Sequence, residues 1–179
     1  SITLADNGTQ IAAANVVTGT TSHVLSKFQV SVTTANATLN AVAITTSGYD
    51  SDDVTNLKLW YSADSSFNSG SDTTISTINS PGVAGAESFS SLTQVVTNGT
   101  TGYFFITADI AGGATYGNTA SVSAIGNADL TFAAGSKSGS ASASGAQTFI
   151  ASAPTSNGSV GSFTDVTSSG MTVNWTSGN

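Results

Sequence analysis

The run Tyr103–Ile110, YFFITADI, sets Phe104, Ile106, Ala108 and Ile110 on one side of an extended chain and Tyr103 and Phe105 on the other. A period of two marks a strand, and apolar residues on both of its sides mark one covered on both faces. A chain containing such a strand must supply layers above and below it. The rest of the sequence repeats the pattern more weakly. Val24–Val32 opposes Phe28, Val30 and Val32 to Lys27, Gln29 and Ser31, and Leu39–Thr46 follows as a hairpin partner after Thr34-Ala35-Asn36. Val54–Tyr61 turns Leu57, Leu59 and Tyr61 inward and leaves Lys58 and Trp60 on the other face. Thr73–Ile78, Glu87–Val96, Thr119–Ile125, Leu130–Phe132 and Gln147–Ile150 are further strand candidates, whereas the Gly/Ser/Ala run Ser136–Gly145 reads as a loop or flexible edge. No sustained 3.6-residue amphipathic period occurs. The reading is an all-β, antiparallel sandwich of jelly-roll or immunoglobulin-like type over residues 1–150.

Charge narrows the functional classes. Ten acids face three lysines, one histidine and no arginine, for a net charge of -7. Nucleic-acid binding depends on clustered Lys and Arg, so it is not expected, and anionic membrane surfaces are disfavoured for the same reason. No apolar run is long enough to span a bilayer, so membrane insertion is not expected either. The absence of cysteine removes disulfides and thiolate metal sites. Few lysines and no arginine also leave trypsin-like proteases little to cut, which suits an extracellular or cell-surface setting.

Three groups of residues are candidates for binding. Asp50, Asp52 and Asp53 offer oxygen ligands of the kind Ca²⁺ takes, although their spacing lacks the glycine and closing glutamate of an EF-hand loop. The alternative is a solvated turn before the strand at Val54. Trp60, Tyr49 and Tyr116 could stack on sugar rings, against the alternative that Trp60 packs under a loop. No catalytic residue is assigned. His23 stands alone and no G-x-S-x-G elbow occurs, while Glu87 and Asp109 are isolated acids with no apolar pocket around them to raise a pKa.

The tail reads differently. Ala151–Asn157 is linker-like, with Pro154, and residues 158–179 resemble the first two strands of a fibronectin type III sandwich. Met171, Val173 and Trp175 alternate with polar residues there, across a turn from Phe163 and Val166. An isolated hairpin is marginal in water, so this segment is expected to be completed by following chain or by another copy, with Phe163, Val173 and Trp175 as assembly residues. Four segments, VLSKFQVSVTTANATLNAVAI, DVTNLKLWYSADSSFNSGSDTTIST, TTGYFFITADIAGGATYGNTASV and LTFAAGSKSGSASASGAQTF, resemble a β-sandwich repeat domain of giant surface and secreted proteins exported by the type IX system of Bacteroidota. The resemblance implies a non-enzymatic structural or adhesive module, partnered by further copies of itself in a stalk or filament. Its alternative is a carbohydrate-binding accessory domain of a secreted hydrolase, partnered by surface glycans. Edges that lack lysine and proline guards point the same way, toward coverage by neighbours.

Overall fold

The computed structural model describes residues 1–153, 164–167 and 169–173. In chain order its strands are β1 (Ile2–Asp6), β2 (Ala14–Val17), β3 (His23–Val32), β4 (Ala37–Ser47), β5 (Val54–Ser62), β6 (Thr73–Asn79), β7 (Ala86–Phe89) and β8 (Gln94–Val96). There follow β9 (Thr101–Ile110), β10 (Thr119–Val122), β11 (Ile125–Gly126), β12 (Leu130–Phe132), β13 (Lys137–Ala141) and β14 (Gln147–Ile150), with one 3-10 turn at Asn127–Asp129. A separate antiparallel hairpin joins β15 (Thr164–Thr167) and β16 (Gly170–Thr172). Among the described residues there is no α-helix, and no helix long and apolar enough to cross a membrane.

Strands β1 to β14 form two sheets in a sandwich. The first runs β11-β13-β1-β3-β9-β5-β6 and the second β12-β4-β10-β14-β2, with β7 and β8 paired to β4 as well. The expected central position of β9 holds: it lies between β3 and β5, with Phe28 opposite Phe104 and Leu59 opposite Ile106. Their shared face is the core, where Phe28 and Phe104 stack at 5.1 Å and Tyr61 meets Phe104 edge-on at 5.5 Å. From the second sheet Leu39, Val42, Phe89, Val122 and Phe149 close the same apolar cluster.

The expectation of purely antiparallel sheets is corrected. β1 pairs with β13 in parallel, and β2 pairs with β14 in parallel. Parallel neighbours need a long crossover between them, and here the whole intervening sandwich serves as that crossover. The reading of Ser136–Gly145 as a loop is corrected too, since Lys137–Ala141 is the strand β13. Glu87–Val96 divides into β7 and β8 around Ser91, whose φ of 57° turns the chain. Thr119–Ile125 divides because β10 lies in the second sheet and β11 in the first.

Candidate functional site

The acidic turn does not gather into a metal site. Asp50 and Asp52 are exposed, while Asp53 is buried, 1% exposed, against the loop that follows β9. Asp53 Oδ1 accepts the Thr115 N–H at 2.6 Å, and Oδ2 accepts the Asp50 N–H at 2.9 Å and Asn118 Nδ2 at 2.8 Å. Burial alone would raise its pKa, but the Asn118 amide and the N–H groups of Asp50 and Thr115 together hold the carboxyl below the ordinary range. Donors rather than fellow acceptors surround it, an environment that competes with a cation. Among the described residues no three His, Cys, Asp or Glu side chains converge on a common point. Asp53 instead ties the β4–β5 turn to the β9–β10 loop.

The aromatic platform is likewise corrected. Tyr49 and Trp60 are buried, and only Tyr116, 64% exposed, faces solvent. Tyr49 Oη shares a 2.8 Å hydrogen bond with Thr46 Oγ1, and burial raises its phenol pKa. Trp60 lies on the outer face of β5, as its position in the alternation requires, but the loop after β5 folds over it. Phe67 meets Trp60 edge-on at 5.2 Å and Phe105 at 5.4 Å, and Trp60 Nε1 donates to Thr107 Oγ1 at 2.8 Å. The loop-covered alternative is the arrangement found.

On that covered face lies an ion pair that the sequence does not announce. Lys58 Nζ is 2.6 Å from Asp109 Oδ2, which also accepts Asn56 Nδ2 at 2.9 Å, while Oδ1 accepts the Ser22 N–H at 2.7 Å. Burial opposes ionisation of Asp109, yet the Lys58 hydrogen bond, with Ser22, Asn56 and the Lys58 charge, keeps its pKa low. A hint was available: Lys58, Asn56 and Asp109 all sit at outward positions of their strands. Only the β5–β9 register shows that Asn56 stands opposite Asp109 and that Lys58, opposite Thr107, reaches it diagonally. His23 Nε2 is 3.0 Å from Gln147 Oε1, and Gln147 Nε2 donates to the carbonyls of Ala12 and Gly145. The amide oxygen therefore faces the ring, and His23 donates through Nε2.

The feature that organises the molecule is a seam between its first and last segments. Residues 2–4 lie beside 137–139, and residues 14–17 beside 147–150, all in parallel. Between these ladders both segments cross from the first sheet to the second without parting. Asp6 accepts the N–H and hydroxyl of Ser142 at 2.7 and 2.8 Å, Gln10 Nε2 donates to Ser142 O at 3.1 Å, and the Gly145 N–H donates to Ile11 O at 2.8 Å. Two glycines permit this approach. A Cβ on Gly139 would stand 2.0 Å from Leu4 O, and one on Gly145 2.1 Å from Ala13 N.

The seam also fixes where the segments enter and leave. Ser1 lies beside Thr33, and Ile2 beside Val32, whose N–H donates to Thr100 O at the start of β9. Ile150 O accepts the Thr18 N–H, next to Gly19, which donates to Ala111 O just past the end of β9. Residues 1 and 150 therefore occupy opposite ends of the sandwich along the strand direction, separated by the length of β9, about 30 Å at roughly 3.3 Å per residue.

Phe163 and Trp175 lie outside the described residues; Val173 is exposed and follows the β15–β16 hairpin. Compared with known proteins, the chain matches no family model and no curated sequence.

Proposed function

We propose that this chain is a non-enzymatic structural and adhesive module of a large secreted cell-surface protein, arranged in series within a stalk or filament. The observation that carries the reading is the placement of residues 1 and 150 at opposite ends of the sandwich. Domain entry and exit points commonly lie close together, which suits insertion and side-by-side packing. Opposite ends suit a string of modules, in which each copy adds its full length to the span. The groups that could have carried chemistry serve the fold: Asp53, Asp109, His23 and Trp60 each hold two separate parts of the chain together. The carbohydrate-binding alternative has lost two of its three aromatics to the interior, so it receives no separate support.

Electron microscopy of the native parent protein, recovered from culture medium or the cell surface, tests the reading. Extended rods or filaments of beaded domains are expected. A compact monomer confined to the cytosol would contradict it.

A further inference from the structure

The seam and the opposed ends together have a mechanical consequence. A module in series is pulled at residue 1 in one direction and at residue 150 in the other. β1 runs inward from the end where residue 1 lies, and β14 runs outward to the end where residue 150 lies. The two pulled segments are the two partners of the seam, and they are parallel. Tension along the axis therefore slides β1–β2 past β13–β14 lengthwise.

We infer that this seam is a shear clamp that makes the domain a tension-bearing module, an inference that rests on the serial reading above. Ladder hydrogen bonds lie across the strands, so lengthwise sliding stretches all of them at once. Opening a hairpin from its end breaks the same kind of bond one at a time. The load is shared by the ladder at residues 2–4 and 137–139 and the ladder at 14–17 and 147–150. Backbone bonds from Ile2 N to Ser136 O at 2.9 Å, Gly145 N to Ile11 O at 2.8 Å, Ala14 N to Ala146 O at 3.2 Å and Thr18 N to Ile150 O at 3.0 Å extend it. The pair Asp6–Ser142 bridges the crossing between the sheets. β1 is held on its far side as well, by five antiparallel positions on β3, and Ile2 and Leu4 anchor it in the core. Sliding must drag these side chains through packed interior.

The absence of cysteine makes the test direct, because introduced thiols are unique attachment points. In the full 179-residue chain, one variant carries Ser1→Cys with Ser152→Cys, and a second carries Asp52→Cys with Asn79→Cys; all four positions are exposed. Single-molecule pulling at equal loading rate then compares shear of the seam with end-on opening of the β5–β6 hairpin. The clamp requires the Ser1/Ser152 geometry to unfold at about twice the force of the other, or more, in one event. Equal forces, or an early low-force step that peels off β1 or β14, would overturn it. Such a failure leaves the serial reading intact, since microscopy of the native protein decides that separately.

Discussion

In β9 eight of ten residues are buried, whereas in β13 only one of five is. Both are strands inside the same seven-stranded sheet, yet they are held by different parts of the chain. β9 is fixed by side chains: Phe104, Ile106 and Ala108 on the core face, and on the other Phe105 against Phe67, Thr107 against Trp60 and Asp109 held by Lys58, Asn56 and Ser22. β13, KSGSA, has almost nothing to bury. It is fixed by its main chain, which pairs with β1, and by a glycine that lets the two backbones meet. The difference teaches that a low-complexity Ser/Gly segment can be structural when its partner comes from the far end of the sequence. The two regions should respond to different kinds of substitution.

The largest effect is expected where side chains rule. Phe104→Ala removes a fully buried ring that contacts Phe28 and Tyr61, and should cost about 3–5 kcal/mol in urea unfolding. β13 should be nearly indifferent to losing a side chain, and the seam intolerant of gaining one. Gly145→Val drives a Cβ into the backbone of Ala12 and Ala13 and is expected to cost about 3 kcal/mol, the upper part of the overpacking range. Gly112→Ala, with no atom of the described residues within 4 Å of the added Cβ, serves as its near-neutral control.

Next in size is Asp53→Asn, which replaces a charged acceptor of three hydrogen bonds and should cost about 2 kcal/mol. Its pH signature separates charge from shape. Asp53 and Asp109 have folded pKa values below the ordinary 3.8, so their contribution is complete above that value and is lost as pH falls through the folded values. The thermal midpoint should hold steady from pH 7 to about 5 and drop below about 4, with a shallower drop in Asp53→Asn. A steeper acid drop in that variant would refute the assignment. The smallest effect is a gain. Ser26 Oγ is buried with no hydrogen-bond partner among the described residues, so Ser26→Ala should stabilise by about 1 kcal/mol, read as a raised urea midpoint.

The same comparison explains what the sequence reveals. β3, β5 and β9 are legible because apolar residues alternate on them, and the same parity puts Trp60 on the outer face of β5. Its cover was not legible, because Phe67 reaches it from an irregular loop with no period. Leu25 shows a subtler limit. Ser26 shares the parity of Phe28, Val30 and Val32 and lies inside with them, but a bulge between Val24 and Ser26 buries Leu25 as well, against the alternation. Asp53 looked like a solvated turn because its donors Thr115 and Asn118 lie more than sixty positions away. β2 and β13 left almost no trace, since each buries a single side chain and main-chain pairing has no residue signature. The glycines at 139 and 145 were visible, but as signs of flexibility rather than of close contact.

Native-state amide hydrogen exchange tests the seam most directly, because it reads each backbone bond without altering the chain. If first and last segments are locked together, amides of Ile2, Ala14, Thr18 and Gly145, all hydrogen-bonded across the seam, should be protected to an extent comparable with the amides of β9. Exchange of those four within the time of exposed loops, while β9 stays protected, would show a seam that frays and would contradict the account.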